Sequence, residues 1–433
     1  MLVIDIVALS GLYWLAVVGR HIITPASFRV YIDLFPGIAL YVLVFSIQGL
    51  YPGILLHPAE EMRRIFHCGS IVLLLFFCTT FLWHNAQTYS RSVAMIIWTL
   101  TTPAVLIARY GGRTLLARSA WWGVPAVVFG SGVAVQRVVR TLKDRRHGVR
   151  VTAVIPDEIS ALPLCSAHYA IVALSHEPGK ALQHMIQEYC SGYKHVLLVP
   201  DLPGVCSLGI SAREIGGEVG FEMPQRLFHG GAQIGKRLLD FLLSALILTF
   251  LSPLYVLAAL AIRLTSRGPI LYRHLRYGRN GKTFEVLKFR TMSQKGDLLL
   301  TKHFQKHPEE LEQWRRYHKL KNDPRITRVG RLLRRYSLDE LPQVLNVLLG
   351  QMSLVGPRPI VTAEIPKYGK GYEMYTRVRP GITGLWQVSG RNNTTYEERV
   401  SFDEYYVRNW SIWLDAYILV RTIKAVWSAE GAY

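Results

Sequence analysis

Residues 241–262 form a run of 22 positions without one charged side chain, and both ends of it are basic. Lys236 and Arg237 precede the run; Arg263, Arg267, Arg273 and Arg276 follow it. About 20 apolar residues suffice for a helix to cross a bilayer, so length alone makes this a spanning segment. Two features pull the other way. Ser252-Pro253 sits in the middle, where proline removes a backbone hydrogen bond and bends a helix. Positive charge also prefers the cytoplasmic side of a membrane, so two basic flanks favour a segment that enters and returns. The Ser252 hydroxyl can help satisfy backbone groups freed at such a bend. A re-entrant helix over residues 236–263 and a kinked span both remain open. In either form the chain is organised around a membrane surface.

Four more apolar runs fill the N-terminal third: residues 2–18, 37–56, 69–83 and 93–108. Each is near spanning length. The first is interrupted only by Asp5, and it lacks the basic start and small-residue cleavage site of a signal peptide. Between the second and third runs lies His57-Pro58-Ala59-Glu60-Glu61-Met62-Arg63-Arg64; after the fourth come Arg109, Arg113 and Arg118. The other two loops hold only Arg20, Arg29 and Arg91. That asymmetry puts both ends of a four-span bundle in the cytoplasm. A buried helical core in a soluble protein is the competing reading. With half of all residues apolar, the run lengths favour the membrane.

The middle of the chain alternates strands and helices. Residues 125–129 read as a buried strand, Gly130-Ser131-Gly132 as a turn, and an amphipathic helix runs on to Lys143. Strands are expected at 149–155, ending before Asp157, and at 170–174 and 195–199, with a helix at 181–190. This alternation implies a parallel α/β sheet. Gly130-x-Gly132 resembles the first half of a dinucleotide fingerprint, but Val135 stands where the third glycine belongs. The region therefore reads as a degenerate Rossmann-like domain with a regulatory or assembly role, which allows a homodimer. Five cysteines (Cys68, Cys78, Cys165, Cys190 and Cys206) show no metal spacing, and an odd count argues for thiols rather than a disulfide framework.

The formal net charge is +20, and from Gly231 onward there are 32 Lys and Arg against 17 Asp and Glu. Such a field suits nucleic acid, anionic lipid or a phosphorylated substrate. The apolar content and the lack of any nucleic-acid module favour the last two and exclude nucleic acid as partner. The most basic stretch ends in Ser337-Leu338-Asp339-Glu340-Leu341-Pro342-Gln343, after Arg325, Arg328, Arg331, Arg334 and Arg335. Adjacent carboxylates among cations suit phosphate-ester chemistry: the cations hold the substrate, and a carboxylate attacks or holds a metal. The same letters also read as a plain helix cap, since Ser-x-x-Glu is a capping box. In either reading the carboxylates lie at a helix start, where the dipole depresses carboxyl pKa values and favours phosphate nearby. Pro342 fits poorly inside a first turn, so the helix proper begins with Ser337 as cap or nearer Pro342. Gly350 stops it. Strands are expected at 270–273 and 284–289, and residues 308–317 form a charged surface helix. Tyr317-x-x-x-Lys321 has the spacing of a sugar-nucleotide dehydratase pair, but lies far from the α/β fold such a pair would serve.

Taken in order, six motifs resemble one family. They are Lys236-Arg237-x-x-Asp240, Ser252-Pro253, Lys288-Phe289-Arg290-Thr291-Met292, Leu338-Asp339-Glu340-Leu341-Pro342-Gln343, Gly356-Pro357-Arg358-Pro359 and Arg379-Pro380-Gly381-Ile382-Thr383-Gly384. The family is the bacterial sugar transferases, the monotopic polyprenol-phosphate hexose-1-phosphate transferases, and the likeness runs from about Phe228 to the C-terminus. The helical N-terminal third resembles their large branch. His57-Pro58-Ala59-Glu60-Glu61 and Trp121-Trp122-Gly123-Val124-Pro125 are similar to the undecaprenyl-phosphate galactose phosphotransferases.

The resemblance implies three domains. They are a four-helix transmembrane bundle (1–112), a Rossmann-like α/β domain (113–227), and an α/β catalytic domain with a re-entrant membrane helix hairpin (228–433). It implies that Asp339 attacks the β-phosphorus of a UDP-sugar and that undecaprenyl phosphate then takes up the sugar phosphate. Glu340 would hold Mg²⁺; Lys288, Arg334 and Arg358 would bind phosphate; Ser252 and Pro253 would break the re-entrant helix. The setting would be the bacterial inner membrane, catalytic domain on the cytoplasmic face, in O-antigen, capsule or exopolysaccharide synthesis. Galactose is the expected sugar; UDP-glucose or another UDP-sugar is the runner-up. A dehydratase would need a full glycine fingerprint. A scaffold or regulator of polysaccharide export would have no use for Asp339-Glu340 inside an arginine cluster. Reporter tags after Gly231 and at the C-terminus are both expected in the cytoplasm; a periplasmic C-terminus would refute re-entry.

Overall fold

The computed structural model describes residues 1–23, 36–82, 91–156, 167–174, 193–200, 211–215, 218–222, 227, 230–294, 296–317, 320, 323–389 and 394–427. The expected helix at 181–190, three of the cysteines (Cys165, Cys190, Cys206), Arg29 and Lys321 lie outside them. The chain forms two compact units, Met1–Pro203 and Gly204–Tyr433.

The first unit begins with helices Leu2–Ile23, Pro36–Ile47, Pro58–Leu82 and Arg91–Leu116. The first, third and fourth are long and apolar enough to cross a membrane. The second differs from expectation: helix ends at Ile47, and residues 48–57 are turns with Gly49 and Gly53 at positive φ. Those glycines supply the left-handed backbone that stops the helix. The sequence 57–64, expected as a loop, is mostly the first turns of Pro58–Leu82. Arg109 and Arg113, expected after the last span, lie within Arg91–Leu116.

Their position matters because they are paired inside the bundle. Arg109 is fully buried and grips Asp5 through Nε at 2.8 Å and Nη2 at 2.5 Å. Its Nη1 donates to Glu61 Oε1 at 2.7 Å. Arg113 donates to both Glu61 oxygens at 2.8 Å and to the Gly53 carbonyl. Two arginines thus cancel two acids, and the network ties three helices and the 48–57 turn together. Buried charge is tolerated only when paired and hydrogen-bonded in this way.

Strands β1 (Val124–Phe129), β2 (Val149–Ile155), β3 (Tyr169–Leu174) and β4 (His195–Pro200) form one parallel sheet in the order β2-β1-β3-β4. The expected strands are all present. Helix Gly132–Leu142 follows β1 and buries Ala134 and Val135 against the sheet. Gly130 at φ +123° has Ala173 so close that a side chain there would overlap its carbonyl. The strand order turns around between β1 and β3, beside this glycine.

In the second unit a 36-residue helix, Gly230–Thr265, carries the uncharged run. Leu242, Leu246, Phe250, Leu257, Leu260 and Leu264 are exposed, whereas Asp240, Ser244, Ala258 and Ile262 are buried. So large an exposed apolar surface belongs in lipid. The helix is not interrupted at Ser252-Pro253, as a break there would require; Pro253 lies inside it. The physical reason is local. Proline leaves the Thr249 carbonyl without its helical donor, and the Ser252 hydroxyl donates to that carbonyl at 2.8 Å. Both arms of the helix pack on the same unit. Arg237 donates to Val347 O and Leu348 O, capping helix Gln343–Leu348. Beyond Pro253, Ala258 and Ile262 pack with Phe289 and Leu333.

Replacing Arg109 with Leu leaves the Asp5 carboxylate without its arginine in an apolar bundle, and Glu61 with Arg113 alone. The expected cost is about 3–5 kcal/mol, read as a lowered unfolding midpoint in detergent. An unchanged midpoint would show that the network bears no structural weight.

Candidate active site

The site begins with a β-hairpin. Strand Leu271–Tyr277 pairs antiparallel with Thr283–Phe289, with Arg276 opposite Phe284 and Lys288 opposite Tyr272. Alternation along the strands puts Arg276 and Lys288 on one face. After Phe289 the chain bridges at Met292 to Ile326. Thr327 then caps helix Arg328–Arg335, its hydroxyl accepting from Gly330 N at 2.9 Å. Gly330 lies so close to Thr291 that a Cβ would overlap the Thr291 carbonyl. This contact lets Arg334 Nε donate to Thr291 Oγ1 at 2.9 Å.

The chain then turns sharply. Ser337 sits in the left-handed region at φ 53°, ψ 22°, and its side chain makes no capping bond. The capping-box reading is therefore wrong. Ser337 serves through its carbonyl, which accepts from Glu340 N at 3.2 Å and closes a single 3₁₀ turn, Leu338–Glu340. A non-glycine residue at positive φ carries strain of order 1–3 kcal/mol, the kind stored at functional sites. The helix proper is Gln343–Leu348, starting after Pro342, and Gly350 at φ +80° ends it.

Buried Asn346 fixes that helix to the hairpin. Its Oδ1 accepts from Leu287 N at 3.0 Å, and its Nδ2 donates to Glu285 O and Gln351 Oε1, both at 2.7 Å. Leu338, Leu341 and Tyr255 pack around the Ala258–Ile262–Phe289 cluster, and the Tyr255 hydroxyl donates to Leu341 O. The carboxylate turn is thereby attached to the membrane helix.

These constraints bring Lys288 Nζ to 2.6 Å from Glu340 Oε1. The Glu340 side chain is 30 % exposed, open enough for an incoming anion to compete for the lysine. Burial works to raise the Glu340 pKa, but Lys288, Arg358 and Arg276 outweigh it and hold this carboxyl below its ordinary range. Asp339 moves the other way. Burial, and then the Glu340 charge, raise it; Lys288 and Arg334 offset only part. The expected depression of both carboxyls by a helix dipole thus fails for Asp339, which sits in a single 3₁₀ turn beside another carboxylate.

Gly356-Pro357-Arg358-Pro359 and Arg379–Gly384 meet backbone to backbone. Strands Ser353–Val355 and Gly381–Thr383 run parallel, and Gly356 N donates to Thr383 O at 2.9 Å. Gly381 N donates to Pro357 O at 2.7 Å, an approach that only glycine permits. The Arg358 guanidinium lies over the Trp386 ring at 5.8 Å, with Arg399 over the same ring at 4.8 Å. Arg276 donates to Pro359 O at 3.2 Å, and burial followed by Arg358 lowers its pKa.

Of the expected residues, Lys288 and Glu340 touch, Asp339 is their neighbour, and Arg334 and Arg358 act on them by charge. Ser252 and Pro253 lie elsewhere, on the membrane helix. Arg276 and Asn346 were not expected here. Strand alternation could have found Arg276, on the Lys288 face; no sequence signal marks Asn346.

A family model described as Bacterial sugar transferase matches residues 231–429. The undecaprenyl-phosphate galactose phosphotransferase of Salmonella typhimurium is 34 % identical over 400 residues, 86 % of this chain and 82 % of that protein. The chain belongs to the bacterial sugar transferase family. A second relative, UDP-glucose:undecaprenyl-phosphate glucose-1-phosphate transferase of Escherichia coli, is 36 % identical over 275 residues, 61 % of this chain and 56 % of that protein. The exopolysaccharide production protein ExoY of Sinorhizobium fredii is 50 % identical over 200 residues, 46 % of this chain and 88 % of its own length. This sugar transferase is a membrane protein: among the described residues four helices are long and apolar enough to cross a membrane, and one of them, Gly230–Thr265, lies almost wholly within the matched region.

In the transferase, Asn346→Leu leaves Leu287 N and Glu285 O unpaired beneath the site. The variant is expected to lose about 1–3 kcal/mol of stability per stranded group. Sugar transfer, assayed in membranes, is expected to fall more than stability alone explains. Wild-type turnover would remove Asn346 from the support of the site.

Proposed function

We propose that this transferase moves a hexose-1-phosphate, galactose-1-phosphate first, from a UDP-sugar to undecaprenyl phosphate, releasing UMP. It would thereby open the membrane stage of O-antigen, capsule or exopolysaccharide synthesis. The observation that carries this is the Asp339–Glu340 pair held against Lys288 within the fields of Arg276, Arg334 and Arg358. A diphosphate brings negative charge that such cations stabilise, most of all as it grows in the transition state. The ionised Asp339 carboxylate attacks the β-phosphorus. The bond to the bridging oxygen breaks, and UMP leaves with the electron pair. An oxygen of undecaprenyl phosphate then attacks the aspartyl-bound phosphorus, and the Asp339 carboxylate departs. Two half-reactions let one site serve two anionic substrates in turn.

Among the described residues no three His, Cys, Asp or Glu cluster as a metal cage. Two carboxylates suit instead the mode in which Mg²⁺ keeps waters and shares substrate phosphates. Glu340, held ionised, is the residue that would hold it, and the ion supplies charge neutralisation at the phosphates. The long helix is read as re-entrant, turning at a proline kink within continuous helix and not at a break, because both its arms pack on one unit and both its flanks are basic. The catalytic domain, 228–433, then lies on the cytoplasmic face of the inner membrane. Residues 1–112 form the membrane bundle. Residues 113–227 form a Rossmann-like domain, whose support is the strand reversal beside Gly130. Galactose is favoured over glucose because the galactose relative aligns along 86 % of the chain, against 61 %.

Asp339→Asn should abolish UMP release from UDP-galactose in membranes supplied with undecaprenyl phosphate. Turnover near wild type would sink the nucleophile. The reaction needs Asp339 ionised and its pKa is raised, so the acidic limb of the rate profile should lie above the ordinary carboxylate range. Glu340→Gln removes the neighbouring charge and should move that limb to lower pH, while weakening the response to Mg²⁺. A limb that stays put would assign it to another group.

A further inference from the structure

Away from the carboxylate pair, an open cleft lies beside the first turns of helix Gly230–Thr265. Its wall includes Lys236, Asp240, Arg279, Ser353, Arg379 and Tyr406, and none of Lys288, Arg276, Arg334 or Arg358.

The acids here are already engaged. Asp240 accepts from Ser353 Oγ at 2.7 Å and Leu354 N at 3.2 Å. Asp415, behind the wall, accepts from Lys236 and Tyr406 at 2.7 Å and from Trp410 at 3.1 Å. Lys236 is therefore neutralised. Of the three wall arginines, Arg377 is paired with Glu373 at 2.5 Å, whereas Arg279 and Arg379 are not neutralised. Arg279 spends one Nη on Gln233 Oε1 at 2.8 Å, while its Nε is buried without a partner. Arg379 spends its Nε on Gly350 O at 2.8 Å. Among the described residues neither has a carboxylate at ion-pair distance. Burial, then the charges of Arg279 and Arg237, lower the Arg379 pKa, and Asp240 opposes this only in part.

Two guanidiniums that repel each other beside a cleft, with donors to spare, match an anion with several acceptor oxygens. The location narrows the choice. The uncharged run begins at Phe241, one residue beyond Asp240, so the cleft lies where the helix enters lipid. At that depth phosphate esters are the abundant anions. We propose that this cleft binds a phosphate ester at the membrane surface, with Arg279 and Arg379 as its forks, at a site separate from the carboxylate pair. The proposal does not depend on the transfer reaction.

The full-length protein in detergent is titrated with dioctanoyl phosphatidylglycerol and, separately, with inorganic phosphate, following the ligand-induced shift of the unfolding midpoint. Arg279→Gln and Arg379→Gln should each weaken binding at least about tenfold, whereas Arg273→Gln, an exposed arginine outside both sites, should not. Selective loss in the lipid arm identifies a headgroup; selective loss confined to inorganic phosphate identifies a free phosphate. Binding of both probes that is unaffected by the cleft variants, or lost equally in Arg273→Gln, overturns the proposal. So does a lack of binding in the wild type. If Arg279→Gln unfolds, Arg279→Lys keeps the charge without the fork. It should fold and still bind several-fold more weakly, and wild-type affinity there would refute the fork.

Discussion

Two carboxylates on adjacent residues repel, and most of the second unit is arranged to make that tolerable. Two like unit charges about 5 Å apart at an effective dielectric near 20 repel by about 3 kcal/mol. Lys288 at 2.6 Å from Glu340 offsets part of it, and the outcome is unequal. Glu340 is held ionised by three cations, while Asp339 is left with a raised pKa. A pair whose members are pushed apart in this way can divide its labour between an electrostatic role and a reacting one.

That balance requires the strand bearing Lys288 and the turn bearing Glu340 to be fixed to within a few tenths of an ångström. Neither element is long enough to fix itself. The 3₁₀ turn has three residues and the helix after it six, so their positions come from long-range bonds. Asn346 supplies two bonds to the hairpin backbone, Arg237 caps the far end of the helix, and Tyr255 holds Leu341 from the membrane helix. The close approaches at Gly330 and Gly381 bring Arg334 and Arg358 in from two other segments. The membrane helix is thus part of the support of the site, in keeping with a lipid phosphate acceptor whose headgroup stays at the interface.

Much of this was legible in the residues. The uncharged run and its basic flanks are real, and so is the parallel sheet, strand by strand. Ser252 does satisfy the carbonyl that Pro253 orphans, although the helix continues where a break was expected. The second apolar run ends early because Gly49 and Gly53 turn the chain, a signal overlooked in favour of run length. The charges at 57–64 and at Arg109 and Arg113 looked like loop charges. In the structure Asp5, Glu61, Arg109 and Arg113 face each other across three helices, a pairing that sequence spacing cannot reveal because Asp5 and Arg109 are 104 residues apart.

The sequence by itself determined the membrane-bound class, the α/β middle, the carboxylate pair and the cations meant for it, because hydropathy, periodicity and local motifs are properties of contiguous residues. Tertiary structure alone decided that Ser337 is a strained turn rather than a cap and that Asp339 and Glu340 have opposite pKa shifts. It also decided that Arg276 belongs to the site and that Arg279 and Arg379 share a cleft away from it. Each of these depends on which distant charge or backbone group comes within a few ångströms. Folding sets those distances, through contacts between segments tens of residues apart.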